Sequence, residues 1–285
     1  MVNKNFQYKL IALDLDGTLL KDTKDISKKT VKYIERLKKN NIEVVIATGR
    51  SYYHGKKLIE PLNQDMIILS NNGSIARHTS NDEVIFANYL SKDKAKIIID
   101  EALEHGFHPI LHVNEFHDGY DLIIENHPED SRYYGYMSKE NVRFKKFKFE
   151  EIKYTNILSI CIAGDFTTLE FFRKKITKKY PKVFNSFTAR NLKIRALLEF
   201  LDIKGCKWEA VHRYAQSKGI LDKEIISIGD DNNDIELLKK SGLGIAMING
   251  TEEIKKAADK VTEHDNNNDG VIFELEKYFK IGNDF

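Results

Sequence analysis

The string LIALDLDGTLL at residues 10–20 decides the fold, because an apolar run there leads directly into two aspartates and a glycine. Residues 10–13 predict a short buried strand, since a continuous apolar run that ends in a turn is typical of a strand covered on both faces. Asp14 and Asp16 follow, and alternation along an extended chain would point both side chains to one side. Gly17 permits a sharp turn after them. The pattern predicts two carboxylates at the carboxyl end of a strand, where open α/β sheets bind ligands.

These two acids would repel each other when both are ionised, so the pair predicts either a bound cation, with Mg²⁺ as the expected ion, or a shared proton. A D-x-D pair taken alone is more typical of one acid that caps a turn and one that is solvated. The longer string D-L-D-G-T-L-L behind a buried strand favours the cation site.

The composition indicates a globular protein of one large or two ordinary domains. The chain has 285 residues, of which 41% are hydrophobic and 31% charged, enough to bury a substantial core. Its 45 Lys and Arg residues against 43 Asp and Glu residues give a formal net charge of +2. This balance is unlike that of proteins that bind nucleic acid through their overall charge, so we predict no nucleic-acid partner.

The cysteines and the apolar segments predict a cytoplasmic protein without a membrane partner. Cys161 and Cys206 do not form the pattern of a disulfide framework or a zinc site, which favours a reducing compartment. No apolar run approaches the roughly 20 residues of a membrane span. The polar start MVNKNFQYK lacks the apolar segment of a secretory signal.

A second strand is predicted to end in a polar loop at the same edge of the sheet. A helix over residues 28–40 leads into a strand at 42–47, and this strand ends in the string T-G-R at 48–50. Thr48, through its hydroxyl, and Gly49, through its N–H, would form a small phosphate-binding device at the start of the next helix. A threonine that caps this helix is the alternative.

The remaining elements predict a second domain inserted into the first. A third strand at residues 66–70 also ends in a polar loop, N-N-G, before an α+β section begins near residue 82. We predict an α/β fold in which a doubly wound, Rossmann-like parallel sheet is formed by residues 1–81 and 194–285, with an α/β cap domain at 82–193. Cap strands are expected at 109–113, 120–124, 157–163 and 183–188, and cap helices at 95–105 and 168–180. After the cap, strands at 197–203, 225–228, 243–247 and 260–262 should alternate with helices at 207–218, 235–241, 252–258 and 271–279.

The string I-I-S-I-G-D-D-N-N-D-I-E-L-L at residues 225–238 brings a second group of acids to a strand end. Asp230, Asn233 and Asp234 offer the hard oxygen ligands that Mg²⁺ prefers. An Asx-rich loop that caps the next helix is the alternative for this string alone. Its combination with the D-L-D pair favours a metal site.

In this order, the strings resemble the four motifs of the haloacid dehalogenase superfamily of phosphotransferases. The third motif is represented by Lys207, in G-C-K-W-E-A-V, which opens an amphipathic helix; Lys204 lies close enough to be confused with it. Further strings resemble the Cof-type, or type IIB, branch, whose large α/β cap (the C2B type) lies between the second and third motifs. They are S-N-N-G at 70–73, S-G-L-G-I-A-M-I-N-G at 241–250, A-A-D-K-V-T at 257–262 and D-G-V at 269–271.

Two positions depart from the pattern of this branch. Trp208 stands where a glycine is common, and I-N-G at residues 248–250 replaces the usual G-N-A. Neither departure changes a group that would react, although Trp208 would narrow the space around Lys207.

The resemblance implies a role for each candidate residue. Asp14 would attack phosphorus and Asp16 would act as the general acid and base. Mg²⁺ would be held by Asp14, the Asp16 carbonyl and Asp230, with Asn233 and Asp234 orienting its waters and the lysine. The residues expected to contact the phosphoryl group or the rest of the substrate are Thr48, Gly49, Arg50, Asn72, Lys207 and Asn233.

The function expected from the resemblance is that of a Mg²⁺-dependent phosphatase acting on small phosphorylated metabolites such as sugar phosphates, through an aspartyl-phosphate intermediate. Three alternatives stay open: a phosphomutase, a phosphatase for one disaccharide phosphate, and a non-catalytic sensor of phosphate esters. The partner is expected to be the small-molecule ester, and the protein a monomer or a weak homodimer. Substrate choice would belong to the cap, where the polar candidates are His112, Asn114, Glu115, His117, Asp118 and Arg190.

Overall fold

The computed structural model describes residues 7–126, 133, 143–153, 155–191 and 195–281. The chain divides into two compact units, which we call the core unit (residues 1–86 and 207–285) and the inserted unit (residues 87–206). Most of the polar segment at 126–143 lies outside the described residues. Among the described residues, no helix combines the length and the apolar character that crossing a membrane requires.

Strands and helices alternate along most of the core unit, as the sequence predicts. In chain order, the described strands are β1 (Leu10–Leu13), β2 (Glu43–Ala47), β3 (Ile67–Ser70), β4 (Ile75–His78), β5 (Val84–Ala87), β6 (Ile110–Glu115), β7 (Tyr120–Ile124), β8 (Phe144–Lys146), β9 (Ile157–Gly164), β10 (Phe184–Asn191), β11 (Arg195–Asp202), β12 (Ile225–Gly229), β13 (Leu243–Ala246) and β14 (Lys260–Val261). The described α-helices are α1 (Lys28–Lys39), α2 (Tyr52–Ile59), α3 (Lys92–Glu104), α4 (Phe166–Lys179), α5 (Lys207–Ser217), α6 (Ile235–Lys240), α7 (Glu252–Ala257) and α8 (Gly270–Leu275).

The core sheet confirms the predicted α/β fold. Its described strands follow the order β14-β13-β12-β1-β2-β3-β4-β5, and the pairs from β14 to β3 are parallel. All four residues of β1 are buried, as expected for a central strand covered on both faces. Strand order reverses between β1 and β12, which creates the switch point at which open α/β sheets bind ligands.

The inserted unit has its own sheet and core. Its described strands follow the order β10-β11-β9-β6-β7-β8, and β6 and β7 form the predicted antiparallel hairpin. Helices α3 and α4 bury Ile98, Leu169 and Phe172 in one apolar cluster with residues of β6, β9 and β11. This unit is therefore an α/β domain, as predicted.

The strand predicted at residues 197–203 is present, but its assignment to the core sheet is wrong. It forms β11, which pairs antiparallel with β9 and β10 in the sheet of the inserted unit. Leu198 and Phe200 of β11 are fully buried in that unit's apolar cluster. At the other junction, β5 lies beyond residue 81, the expected end of the first core segment, and follows β4 at the edge of the core sheet. The boundaries between the units therefore lie at residues 86/87 and 206/207 of the chain. The sequence had suggested boundaries at 81/82 and 193/194.

The side chain of Leu198 provides a test of this reassignment. Leu198→Ala should cost about 2–5 kcal/mol of local stability, because it leaves a cavity in a packed core. In native-state hydrogen exchange, the amides of β9, β10 and β11 should lose protection while those of β1 and β2 keep theirs. Leu37→Ala, a matched control at a fully buried leucine of α1, should give the opposite pattern. Equal loss in both sheets for Leu198→Ala would contradict the assignment.

Candidate active site

Three carboxylates meet where β1 and β12 end. Parallel pairing of these neighbouring strands places their following loops side by side, and the N–H of Asp14 donates to the Ile228 carbonyl at 3.1 Å. One carboxylate oxygen each of Asp14, Asp230 and Asp234 lies within 4.8 Å of the others. The structure thus brings together the acids that the sequence placed on two separate strands.

Lys207, the first residue of α5, lies between two of these acids. Its Nζ donates to Asp14 Oδ1 at 2.8 Å and to Asp234 Oδ1 at 2.7 Å, and its side chain is 0% exposed. Burial alone would lower the pKa of Lys207, but the two carboxylates outweigh burial and raise the pKa. The lysine therefore stays charged, as the third-motif assignment requires.

The acids remain in excess over this single lysine. Burial raises the pKa of Asp14 well above its usual range; Lys207 opposes the rise, and the charges of Asp234 and Asp230 add to it. Burial, with the neighbouring Asp234, likewise raises the pKa of Asp230 to about 7. Three carboxylates against one ammonium leave negative charge that a divalent cation with oxygen ligands would neutralise.

Asp234 is the least suited of the three acids to bind such a cation directly. Its side chain is fully buried, Lys207 occupies its Oδ1, and the N–H groups of Asp230 and Asp231 point at its Oδ2 from 3.3 and 3.4 Å. The carboxylates of Asp14 and Asp230 are the better candidates for ligands. Asp234 positions Lys207 and the loop after β12.

Gly17 and Thr18 link the first acid loop to Asp230. Gly17 has a φ of +73°, and a methyl group there would overlap the Asp230 carboxylate. Thr18, which is buried, donates through Oγ1 to Asp230 Oδ1 at 3.2 Å. The glycine of the D-L-D-G-T string is therefore required both for the turn and for the close approach of the two loops.

Asp16 occupies a different environment from Asp14. Arg50 binds its carboxylate with both Nε (2.5 Å) and Nη2 (2.7 Å), and Lys24 Nζ binds Oδ1 at 2.7 Å. Burial alone would raise the pKa of Asp16, but the hydrogen bonds and charges of Arg50 and Lys24 outweigh it and lower the pKa. In this structure, Asp16 is therefore an ionised carboxylate held by two cations.

The loops after β2 and β3 meet through main-chain and amide hydrogen bonds. Thr48 is buried, its Oγ1 accepts the Arg50 N–H at 3.1 Å, and its carbonyl accepts the Asn72 N–H at 2.9 Å. Asn233 Nδ2 donates to Asn72 Oδ1 at 2.8 Å, which ties the loop after β12 to the loop after β3. A methyl group on Gly49 would lie 3.2 Å from Asn72 Nδ2. Hydrogen bonds thus connect the candidate phosphate-binding loop at residues 48–50 to the loop that carries Asp230 and Asp234.

Three residues that make contacts in the site were not among the predicted site residues. Thr18 lay within the first motif without an assigned partner, and Lys24 lies in a loop that has no periodic pattern. Asn249 was recognised only as part of a departure from the family pattern, yet its Nδ2 donates to the Gly17 carbonyl at 2.8 Å. Each contact joins loops that come together only in the folded sheet.

Polar candidates of the inserted unit have local partners. His112 is buried on β6 opposite Ser159 of β9. Asn114 Nδ2 donates to the Tyr89 hydroxyl at 2.5 Å, and Glu115 accepts a hydrogen bond from the amide of Asn156 at 3.2 Å. The side chain of Arg190, another of the candidates, lies outside the described residues. Their predicted role in substrate choice stays a prediction.

Proteins named as phosphatases are similar to this chain over nearly its whole length. A phosphatase of Bacillus subtilis named for 5-amino-6-(5-phospho-D-ribitylamino)uracil is 29% identical over 275 residues, which are 95% of this chain and 98% of that protein. A putative phosphatase of Buchnera aphidicola is 30% identical and covers 96% of this chain and 99% of its own length. The prediction of a phosphoric monoester hydrolase is thus confirmed at the level of the family.

Solved structures show the same fold. A haloacid dehalogenase-like hydrolase from Bacteroides thetaiotaomicron has a TM-score of 0.77 and 27% identity, and covers 95% of this chain and 100% of its own. A second such hydrolase, from B. subtilis, has a TM-score of 0.79 at 22% identity, with coverages of 95% and 100%. The family model described as haloacid dehalogenase-like hydrolase matches residues 11–275. The predicted family is therefore confirmed, and the chain belongs to the haloacid dehalogenase-like hydrolases.

Proposed function

We propose that this hydrolase is a Mg²⁺-dependent phosphatase that removes phosphoryl groups from small phosphorylated metabolites through an aspartyl-phosphate on Asp14. The observation that carries the proposal is the buried carboxylate of Asp14, bound by Lys207 at 2.8 Å and grouped with Asp230 and Asp234. A nucleophile beside a fixed cation, with neighbouring acids that can bind a metal ion, suits attack on a phosphate dianion.

The donor set fits Mg²⁺, which prefers hard oxygens and binds proteins through one or two carboxylates plus substrate phosphate and water. Asp14, Asp230 and the Asp16 main-chain carbonyl would hold it. The ion would supply charge neutralisation between the nucleophile and the phosphoryl group. Asp234 would support these ligands through its hydrogen bond with Lys207. Asn233 would support them through its hydrogen bond with Asn72.

The reaction divides into two displacements at phosphorus. In the first, an Asp14 oxygen forms a bond to phosphorus while the bond to the leaving oxygen breaks, and Asp16 gives that oxygen its proton. In the second, water attacks the aspartyl-phosphate, Asp16 takes the proton of the water, and the Asp14 carboxylate is released. Lys207, the Thr48 hydroxyl and the Gly49 N–H would hold the phosphoryl oxygens.

Asp16 must change partners to perform the first displacement. It is ionised while Arg50 and Lys24 bind it, and an ionised carboxylate has no proton to donate. A phosphoryl group placed at the adjoining Thr48 loop would compete for the Arg50 guanidinium, which binds phosphate in the same bidentate manner as carboxylate. With Arg50 on the phosphate, the pKa of Asp16 would rise because its burial would be less compensated, and Asp16 could take up a proton from solvent before the first displacement.

For the substrate class, the relatives suggest phosphorylated sugars and sugar alcohols, since one is named for a phosphoribitylamino-uracil. A cytoplasmic location suits such substrates and the two buried cysteines, Cys161 and Cys206.

A panel of phosphate esters tests the proposed function. Purified protein with Mg²⁺ should release inorganic phosphate from sugar or polyol phosphates, and Asp14→Asn should abolish release while the far-UV spectrum and melting temperature show an intact fold. The asparagine can still accept the Lys207 hydrogen bond. Isomerised sugar phosphate without release would indicate a phosphomutase, and no turnover of any ester would favour the sensor. Near wild-type activity of Asp14→Asn would overturn the aspartyl-phosphate mechanism.

Gly17→Ala should inactivate the enzyme. The added methyl group overlaps the Asp230 carboxylate at a backbone φ of +73°, so one of the two acid loops must move, and misplacement by about 1 Å can cost on the order of 100-fold in rate. Gly219→Ala is the matched control, because Gly219 has a φ of +68° and no atom within 4 Å of an added methyl group. It should share the backbone strain, about 1–2 kcal/mol, but keep kcat. Equal kcat losses in the two variants would show that strain, and not the clash, is responsible.

Mg²⁺ affinity should fall as the pH is lowered from 8 to 6. Burial raises the pKa of Asp230 to about 7, so protons compete with the metal in this range. The same pKa shift makes the stability of the metal-free protein depend on pH. The Asp230 carboxyl loses its proton near pH 4 in the unfolded chain and near pH 7 in the folded one. The free energy of unfolding should therefore decline as the pH rises between these values. Thermal melts with and without Mg²⁺ at each pH measure both effects. A Mg²⁺ affinity independent of pH between 6 and 8 would contradict this account.

A further inference from the structure

The loop at residues 247–251, which follows β13, contacts both acid loops of the site. Its main chain binds the loop after β12: the Thr251 N–H donates to the Asp230 carbonyl at 3.0 Å, and a methyl group on Gly250 would lie 2.8 Å from that oxygen. Its side chain at Asn249 donates from Nδ2 to the Gly17 carbonyl, in the loop after β1, at 2.8 Å. Since β13 and β1 lie on either side of β12, Asn249 reaches across the middle loop.

These contacts close a ring around Asp230. Gly17 packs against the Asp230 carboxylate, Thr18 donates to it, and Gly250 packs against the Asp230 carbonyl. The Asn249 hydrogen bond to Gly17 joins the two ends of this chain of contacts. The ring surrounds the acid whose distance from Asp14 sets the size of the metal site.

Asn249 is itself held in orientation by a second asparagine. The Asn266 N–H donates to Asn249 Oδ1 at 3.2 Å, which leaves the Asn249 amide nitrogen directed at Gly17. Asn266 in turn donates through Nδ2 to the Leu20 carbonyl at 2.9 Å and to Asp22 Oδ1 at 3.0 Å. Both asparagines thus bind the loop that follows Asp14 and Asp16.

We propose that Asn249 is a positioning residue that fixes the spacing between the loop of Asp14 and the loop of Asp230, and so sets the affinity of the site for Mg²⁺. The inference rests on the proposed metal-dependent function. Asn249 itself is exposed, so its hydrogen bond contributes little to the stability of the fold, and its removal should act on the spacing of the loops. Removing a group that supports metal ligands typically weakens metal affinity or activity by about 10–100-fold.

The test is a Mg²⁺ titration followed by thermal shift, without substrate, for the wild type, Asn249→Ala and Asn268→Ala. Asn268 is the matched control, since this exposed asparagine of a neighbouring loop donates through its side chain to Asp265 in its own turn. Asn249→Ala should bind Mg²⁺ roughly ten-fold more weakly, with a metal-free melting temperature near that of the wild type. Its Mg²⁺ half-saturation in turnover should rise by the same factor. Wild-type affinity in Asn249→Ala, or an equal loss in Asn268→Ala, would overturn the proposal.

Asn249→Asp separates positioning from charge. The aspartate can still accept the Asn266 N–H but cannot donate to Gly17, and its negative charge alone would strengthen Mg²⁺ binding. Weaker binding therefore supports the proposal, and tighter binding overturns it. Failure of the proposed phosphatase activity can be distinguished from failure of the Asn249 proposal. If the wild type binds Mg²⁺ but hydrolyses no ester, the thermal-shift comparison still tests the role of Asn249. A wild type without any Mg²⁺ shift overturns both.

Discussion

The active site depends on one buried ion-pair arrangement, in which Lys207 donates to Asp14 and Asp234. An ammonium removed from water is costly unless carboxylates compensate it, and removing one partner of a buried pair typically costs about 3–5 kcal/mol. The three residues come from the start of α5, the end of β1 and the loop after β12, so their contact fixes three elements at once. Lys207 is also the first residue of the chain after the inserted unit. The point at which the chain re-enters the core unit is therefore fixed by the same charges that hold Asp14, the proposed nucleophile.

The two acids of the D-L-D string are separated by one residue and have opposite pKa shifts. Burial and neighbouring acids raise the pKa of Asp14, whereas Arg50 and Lys24 lower that of Asp16 despite its burial. Groups whose environments push their pKa values apart are suited to different steps of one reaction. The environment of Asp14 is built into the fold. The environment of Asp16 depends on two longer, partly exposed side chains, and a ligand can displace these more easily.

The sequence predicts those features whose residues lie close together along the chain, and it does not predict contacts between distant residues. The loops after β1, β2 and β12 were predicted because an apolar run, an acid or hydroxyl and a glycine lie within a few residues of each other. The sheet of the strand at 197–203 was assigned wrongly, because an apolar run reports burial and not which neighbour a strand pairs with. The partner of Asp16 was missed for a similar reason. Arg50 lies 34 residues away along the chain, and it was predicted to bind phosphate without any sign that it first binds an acid.

The excess of acids also explains why neutral groups join the loops of the site. Charges at Asp14 and Asp230 change whenever a proton or a cation binds, so the force between their loops changes with them. Hydrogen bonds from Asn249 to the Gly17 carbonyl and from the Thr251 N–H to the Asp230 carbonyl involve no titrating atom. These two hydrogen bonds therefore do not depend on whether the acids are protonated, ionised or bound to the proposed cation. In the proposed mechanism the charge of the site changes during the reaction, and these hydrogen bonds join its loops through groups whose charge does not change.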